Sequence, residues 1–330
     1  MIPLEADDSP SHLVGPEDDD FHPPTNDRWF HETVWFWFFV PERRLGGWLY
    51  SWLRPNVGVS GGGCWIWDDS GISPLEVPYY AGYTNLPLPE ASGLGDIRFP
   101  NGVSITTHEP LRRYQLEYAD RDLISVDLEY DAVMPPWVAR ATGSEHASRA
   151  ATGEQPSDVY HFDQVGRVSG ELVLGGERVE VDCLAIRDRT WSVRPERWKD
   201  GHVGYSNGAR EGEAFLVSGT GTQVRSGYLL RDRRRRSLVS GIREIERDPD
   251  HGYLKRIFVD AEDTEGRRIT AVGEPVSRMA VPIPGVHGVV WTSLLRWSIG
   301  GETAWGEDQD AWPLHAWRRF VREGTMEVAT

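Results

Sequence analysis

The stretch YHFDQVGRVSGELVLGGERVEVDCLAIRDRTWSVRP, residues 160–195, is the most informative segment of this 330-residue chain. Two runs of alternating apolar and polar residues flank Gly175-Gly176. Such alternation indicates half-buried strands, and a Gly-Gly pair between two of them is typical of a tight hairpin turn. The second run ends in three charges beside an indole, from Arg187 to Trp191. The segment therefore predicts a long β-hairpin with a charged cluster near one end.

The chain on either side of this hairpin also has the pattern of strands. In RWFHETVWFWFFVPE (28–42), Trp35, Trp37 and Phe39 fall on one face of a strand, and apolar residues also fill the other face. Such a strand is predicted to be covered on both sides. Only DQDAWPLHAWRRFVREG (308–324) has helical periodicity, with Asp310 as a candidate N-cap. Many short strands with turn signals predict an all-β fold, a sandwich or barrel.

The segment 141–158 lacks aromatic residues and periodicity, which is typical of a linker or long loop. It divides the chain into two β domains, at 23–140 and 159–309, preceded by an acidic tail at 1–22 and followed by a helix at 310–324. The basic run Arg233–Arg236 lies between two strand-like runs and is interpreted as a solvated hairpin tip. An aromatic excess favours lipocalin-like barrels, which have room for a ligand.

Composition excludes several classes of function. Hydrophobic residues make up 39% and charged residues 26%, as in globular proteins. A net charge of −16 argues against nucleic acid as a partner. The longest apolar run, Val34–Val40, is too short to span a membrane, and the N-terminus lacks the pattern of a signal peptide. We expect a cytoplasmic protein, whose oligomeric state the sequence does not indicate.

The sequence carries none of the common cofactor motifs. Phosphate-binding, dinucleotide-binding, nucleophile-elbow and zinc-protease patterns are all missing, so no cofactor and no metal are predicted. Cys64 and Cys183 are far apart and match no metal-ligand spacing. They are interpreted as buried free thiols, with a disulfide as the less favoured alternative.

Tryptophan is unusually frequent, with 15 residues in the chain and seven between positions 29 and 67. One interpretation is a core built from large side chains. The other is an apolar cavity with rigid aromatic walls, as ligand pockets often have. Composition leaves both open.

Asp188 is the main candidate for chemistry. In a strand, alternation places Arg187 and Arg189 on one face and Asp188 on the other. Against an apolar wall the pKa of Asp188 would rise, which suits a general acid. The alternative, favoured by spacing alone, is a structural ion pair between Asp188 and an arginine of the other half. His31 and Glu32 with Trp29 form a second candidate, for which a structural role is the commoner outcome.

The segment from Gly166 to Pro195 resembles the second domain of the AttH-like, carotenoid 1,2-hydratase-like proteins, a group that includes Diels–Alderase-type cyclases. Their motif has the form Gly-x-x-x-Asp-His-x-Trp-Gly. Asp188 and Trp191 match it, whereas Leu184, Arg189 and Ser192 replace its first glycine, histidine and last glycine. The resemblance covers roughly residues 25–310. It implies two lipocalin-like domains, an apolar ligand site in or between them, and isoprenoid, polyene or polyketide substrates that need no metal or nucleotide.

These observations predict a cofactor-independent enzyme that hydrates, isomerises or cyclises an apolar isoprenoid, steroid or polyene. The predicted catalytic residues are Asp188, Arg187, Arg189, His31 and Glu32. The predicted substrate-binding residues are Trp29, Trp35, Trp37, Trp65, Trp67, Trp191, Tyr205 and Trp291. The alternatives are a carrier that binds an apolar ligand without chemistry, and a structural protein whose aromatic residues fill two cores.

Overall fold

A computed structural model describes residues 4–9, 14–91, 93–140, 159–194, 202–283 and 288–323 of the chain. Nearly all of its regular structure is β. The strands form two sheets, and one α-helix follows the last strand. The predicted all-β class, with two lipocalin-like units and a C-terminal helix, is confirmed.

The first sheet is a curled, open half-barrel. In chain order, the strands up to residue 193 are β1 (Ala6–Asp7), β2 (Phe30–Val40), β3 (Leu45–Arg54), β4 (Val59–Trp67), β5 (Tyr79–Leu86), β6 (Asp96–Arg98), β7 (Ser104–Glu109), β8 (Arg113–Asp120), β9 (Ile124–Ala132), β10 (Trp137–Arg140), β11 (Val159–Leu174) and β12 (Glu177–Val193). All except β1 belong to this sheet, in the order β5-β4-β3-β2-β12-β11-β9-β8-β7-β6, and β10 also pairs with β11.

The second sheet is a closed barrel of eight strands. They are β13 (Val203–Arg210), β14 (Glu213–Thr220), β15 (Gln223–Arg231), β16 (Arg234–Arg247), β17 (Leu254–Asp263), β18 (Arg268–Ile283), β19 (Gly288–Ile299) and β20 (Glu302–Pro313). Pairing of β13 with β20 and of β16 with β17 closes the circle. Closure leaves the barrel itself with no free edge.

Strand β2 is buried along its whole length, as predicted from its apolar residues on both faces. On one face Phe36 lies 5.5 Å from Tyr114 and 5.4 Å from Tyr130, ring centre to ring centre, within the curl of the first sheet. On the other face Phe39 lies 6.4 Å from Trp305 of the barrel. One face of β2 therefore packs in the core of the half-barrel, and the other face contacts the barrel.

The inside of the barrel is a packed apolar core. Phe215, Val217, Ile257, Leu295 and Trp297 are among the fully buried residues of this core. Leu216 alternates with Phe215 and Val217 and belongs instead to the cluster that includes the first sheet. The outer wall of the barrel therefore faces the half-barrel.

The boundary between the two units differs from the predicted one. Residues 141–158, the predicted linker or loop, lie outside the described residues. The strands on both sides of this segment, β9 and β11, pair with each other in the first sheet. The last strand of the first sheet, β12, ends at Val193, and the first strand of the barrel, β13, begins at Val203. The hairpin β11–β12, predicted to open the second domain, therefore completes the first sheet, because its apolar face fills the curl of that sheet.

The acidic N-terminal segment, predicted to be a loose tail, is partly buried. Residues Pro16–Asp19 form a 3-10 helix, and Asp19 lies 3.0 Å from Arg187, with both side chains almost fully buried. The Tyr114 hydroxyl and the backbone N–H of Leu111 also donate hydrogen bonds to Asp19. Burial alone would raise the pKa of Asp19, but Arg187 and these donors lower it overall.

The basic run Arg233–Arg236 is only partly the solvated tip that was predicted. Arg235 is fully buried, 2.6 Å from Asp7, and also donates to the backbone carbonyls of Pro135 and Pro136. Strand β1 pairs in parallel with β16 at this point. The prediction was wrong for Arg235, because the N-terminal segment covers it and supplies a carboxylate.

The C-terminal helix α1 spans Leu314–Glu323, four residues later than predicted at its start. Asp310 is no N-cap, since it continues β20 and accepts a hydrogen bond of 2.6 Å from Arg247. Trp317 and Phe320 of the helix pack on Trp312 at 5.5 and 5.7 Å. The predicted apolar face is thus the one that packs on the barrel.

The structure also bears on the predictions for the two cysteines and for membrane spans. Cys64 and Cys183 are buried and unpaired thiols, as expected. Within the described ranges no helix has the length and apolar character needed to cross a membrane.

The buried pair Asp19–Arg187 gives a first prediction. Arg187→Met should lower the free energy of unfolding by about 3–5 kcal/mol, because it leaves the Asp19 carboxylate buried without its partner. Arg178→Met is the matched control, since Arg178 pairs with Glu171 at 2.6 Å but is 77% exposed. It should cost no more than about 1 kcal/mol. Urea denaturation of both variants measures the difference, and equal losses would contradict the structural role of Asp19.

Candidate functional site

A cavity of about 600 Å³ lies between the barrel's outer wall and the face of the first sheet that points away from the core of the half-barrel. The first sheet contributes residues from β2 to β5 and from β10 to β12, and the barrel contributes residues from β13 to β15 and from β18 to β20. This cavity lies between the two units, which is one of the two positions that the resemblance implied for an apolar ligand site.

Aromatic rings form the wall that the first sheet gives to the cavity. Trp35 meets Trp48 edge to face at 5.3 Å, and Trp48 lies 5.5 Å from Trp65. Tyr80 stacks on Trp65 at 5.9 Å, and Tyr50 lies 5.8 Å from Trp65. These residues alternate with the core residues of the half-barrel along each strand, so one set of side chains fills the curl and the other lines the cavity.

A polar cluster interrupts this aromatic wall. His161 Nε2 lies 2.9 Å from Asp163 Oδ2, and His161 Nδ1 lies 2.7 Å from the Thr190 hydroxyl. Tyr205 of the barrel donates a hydrogen bond of 2.6 Å to the other oxygen of Asp163. Asp188 lies beside this group, and its Oδ1 is buried with no hydrogen-bond partner among the described residues. The cluster joins both units and leaves one carboxyl oxygen unpaired.

The hairpin brings these residues together. Asp163 lies twelve residues before Gly175, and Asp188 lies twelve residues after Gly176. A two-residue turn with no bulge therefore pairs Asp163 with Asp188, and His161 with Thr190. Gly175 and Gly176 both have positive φ, at 57° and 85°, which glycine adopts without strain.

The environment of Asp188 changes its acidity. Burial raises the pKa of Asp188 to about 6, and Asp163 acts in the same direction against the opposing charges of His161 and Arg194. Burial lowers the pKa of His161, but the charge and hydrogen bond of Asp163 outweigh burial and raise it overall. The cluster thus pairs a carboxyl that holds its proton at mildly acidic pH with an imidazole that is protonated more readily than usual.

A second acid supports the aromatic wall. Burial raises the pKa of Glu307 to about 8, against the hydrogen bonds that it accepts from Thr292, Gln309 and Trp48. The indole N–H of Trp48 donates to Glu307 over 2.7 Å, and Gln309 donates over 3.1 Å. Trp48 and Gln309 both line the cavity, so this buried carboxyl orients two lining residues from opposite walls.

The same polar cluster is the place where a metal ion would fit. One donor atom each from His161, Asp163 and Asp188 lies within 4.8 Å of the others. His161 and Asp163 already bind each other and are further held by Thr190 and Tyr205. The prediction of no metal stays a prediction.

Four of the residues predicted from sequence line the cavity. They are Asp188, Trp35, Trp65 and Tyr205. Asp188 has no ion-pair partner within 4.0 Å in the part of the chain that the structure describes, so the structural ion pair weighed as its alternative is not formed there.

The other predicted catalytic residues are not among those that line the cavity. Arg187 binds Asp19, and Arg189 lies 3.0 Å from Glu32 in a second buried ion pair. His31 is buried edge-on to Trp52 at 5.7 Å, and its pKa is lowered well below the usual value by burial and by nearby arginines. Alternation along β12 separates both arginines from Asp188, as the sequence predicted.

The remaining predicted binding residues pack elsewhere. Trp37 lies 4.7 Å from Phe39 in the contact between the sheets, and Trp67 lies 6.2 Å from Trp48 behind the lining. Trp29 contacts the guanidinium groups of Arg28 and Arg54. Trp191 stacks on the ring of His22. Trp291 packs on the rings of Tyr253 and Trp317. Some of the predicted tryptophans thus line the cavity, and the others pack against neighbouring side chains elsewhere.

The cavity is also lined by residues that were not predicted from the sequence, among them His161, Asp163, Trp48, Tyr50 and Arg194. For His161 and Asp163 a signal was available, because the Gly-Gly turn sets which residues face Asp188. For Arg194 and the tyrosines there was none, since their position depends on the opposing barrel.

Comparison with known proteins supports the fold. The family profile described as "Domain of unknown function (DUF7064)" matches residues 15–312. No curated protein matches the sequence significantly.

Among solved structures, a protein described as an AttH from Nitrosomonas europaea has a TM-score of 0.55 at 15% identity, over 95% of this chain and 99% of its own. CghA, solved with Sch210972, gives 0.52 at 10% identity, over 94% of each chain. Kievitone hydratase from Nectria haematococca gives 0.51 at 10% identity, over 96% of this chain and all of its own. The resemblance to AttH-like proteins is confirmed at the level of the fold.

Asp188 gives a prediction for stability. Because its pKa is raised on folding, its proton stabilises the folded state at low pH, and this contribution is lost as pH rises from 4 through about 6. Asp188→Asn carries no charge, so at pH 8 it should be more stable than the wild type, by on the order of 2 kcal/mol.

Urea denaturation at pH 5 and pH 8 tests this. Asp182→Asn is the control, since Asp182 lies on the same strand with its side chain 49% exposed, and its effect should stay within about 0.5 kcal/mol. An Asp188→Asn variant that is equally destabilised at both pH values would show that Asp188 is not a buried acid.

Proposed function

Because this chain belongs to the family described as "Domain of unknown function (DUF7064)", a description that assigns no reaction, we propose a function from the chemistry of the site. The protein is a cofactor-independent enzyme that hydrates, isomerises or cyclises an apolar isoprenoid, steroid or polyene. The observation that carries the proposal is the position of Asp188, an acid of raised pKa with an unpaired oxygen in the wall of an aromatic cavity.

The first step is protonation of a carbon–carbon double bond. The Asp188 carboxyl donates its proton, the π electrons form the new C–H bond, and the other carbon becomes a cation. The ring faces of Trp35, Trp48 and Trp65 stabilise that positive charge through their quadrupoles. The positive charge of His161, held by Asp163, stabilises the carboxylate that Asp188 becomes.

The fate of the cation decides the product. In a hydration, a water oxygen bonds to the cation and then returns one proton to Asp188. In an isomerisation, the neighbouring carbon loses a proton to Asp188 and the double bond moves. In a cyclisation, a second double bond attacks the cation before the proton is lost. Each route regenerates the acid, so no oxidant or cofactor is consumed.

The comparisons support an enzyme of this general kind. Kievitone hydratase shares the fold and is named for a hydration. CghA shares it and was solved with the small molecule Sch210972. At 10% identity these likenesses support the fold, and the proposal for this chain rests on the Asp188 site.

The central experiment compares wild type, Asp188→Asn and Asp182→Asn. Each purified protein is incubated with a panel of isoprenoids, steroids and polyenes, and the products are analysed by mass spectrometry, with and without a chelator. Wild type and Asp182→Asn should convert the same compound, and Asp188→Asn should lose at least about 100-fold in rate. Loss of activity with the chelator would indicate that the cluster works through a metal. Retention of one compound by all three proteins without conversion would identify a carrier.

The pH dependence gives an independent prediction. The acid form of Asp188 is the active one, so kcat/KM should fall about tenfold per pH unit above about pH 6. Initial rates between pH 5 and pH 9 on the converted compound test this. A rate that increases through pH 6 would show that Asp188 acts as a base, and would overturn proton donation.

A further inference from the structure

The cavity has a closed apolar end. On the face of β2 that carries Trp35, the next two residues are Trp37 and Phe39. The ring of Phe39 lies 6.4 Å from that of Trp305 in the barrel. On the barrel wall, Glu307 lies two residues from Gln309, the pairing partner of Tyr205. Trp48 of the first sheet donates a hydrogen bond to this carboxyl group. The two walls therefore approach each other in this direction, and an apolar body fits there.

The opposite direction leads to a polar end. On the first sheet, the lining residue beyond Trp35 is Thr33, and Thr190 is its pairing partner on β12. On the barrel, the lining residue beyond Tyr205 is Val203, which pairs with Thr220. Threonine hydroxyl groups thus lie within two residues of the Asp188 row, beside the indole of Trp52, which pairs with Thr33.

Two arginines lie at this polar end, one from each wall. Arg194 is the first residue after β12, and period-two alternation puts it on the same face as Asp188. Arg225 lies on β15, where a β-bulge opposite Ser218 and Gly219 leaves it as the extra residue. The bulge explains why both Arg225 and Ser226 line the cavity, although consecutive strand residues normally face opposite sides.

Neither arginine has a carboxylate partner within the described residues. Several buried arginines of this acidic chain form ion pairs, as Arg187 does with Asp19 and Arg189 with Glu32. Arg194 and Arg225 instead remain exposed at the cavity, without a salt bridge to its two aspartates. A guanidinium recognises a carboxylate through two parallel hydrogen bonds.

We propose that the substrate is an amphipathic carboxylic acid, whose carboxylate is held by Arg194 and Arg225 while its apolar chain extends past Asp188 into the aromatic end. This inference rests on the proposed function and specifies its substrate class. The carboxylate site also sets the orientation of the substrate in the cavity. Because the acid group stays at the polar end, the double bond reaches Asp188 from one side only.

The test uses matched acids and alcohols. Farnesoic acid and farnesol, and retinoic acid and retinol, are titrated into the wild type, and binding is measured by quenching of tryptophan fluorescence. The wild type should bind each acid about tenfold or more tightly than its alcohol. Arg194→Gln and Arg225→Gln should each reduce that ratio to about threefold or less, leaving the affinity for the alcohols unchanged. Arg178→Gln, at a remote exposed site, should leave the ratio unchanged.

The outcomes separate this inference from the proposed function. Equal binding of acids and alcohols by the wild type would overturn the carboxylate site while leaving the apolar cavity and its chemistry intact. A preference for acids that persists in both arginine variants would overturn the assignment of these residues. Failure of all four probes to bind would contradict both the apolar site and its carboxylate end.

Discussion

The alternation of side chains along β12 is the constraint on which the site depends. Arg187 and Arg189 point into the half-barrel and form buried ion pairs with Asp19 and Glu32. Asp188, between them, points to the other side, into the aromatic cavity. A shift of one residue in register would exchange these environments, placing an arginine in the cavity and a carboxylate between two core aromatic rings. The buried pairs thus anchor the register that presents the acid.

This arrangement separates stability from chemistry on one strand. The two arginines have their charges neutralised by partners from the N-terminal half, so their burial is compensated. Asp188 has no such partner among the described residues, and its raised pKa is a cost to folding at neutral pH. Function is the reason we propose for that cost, since a paired Asp188 would have a low pKa and could not donate a proton.

Much of the architecture could be predicted from local pattern. The hairpin at Gly175-Gly176, the doubly covered strand β2 and the apolar face of the C-terminal helix all follow from periodicity and turn chemistry. The boundary between the units could not, because β11 and β12 pair with strands that are distant in sequence. Local pattern likewise predicts a loose tail for the N-terminal segment, because the partners of its carboxylates are distant in sequence. Asp7 and Asp19 bind arginines more than 160 residues away.

For the site, sequence alone established that Asp188 and the flanking arginines lie on opposite faces, and the turn also determines that Asp163 lies opposite Asp188. Both are consequences of period two within one hairpin. Which tryptophans line a cavity and which fill a core was decided by the tertiary structure. Trp35 and Trp37 share a face of one strand, yet Trp35 lines the cavity and Trp37 is fully buried beside Phe39, where Phe39 packs on Trp305 of the barrel. That difference arises from the separation of two packed surfaces, a quantity that no residue pattern within a strand encodes.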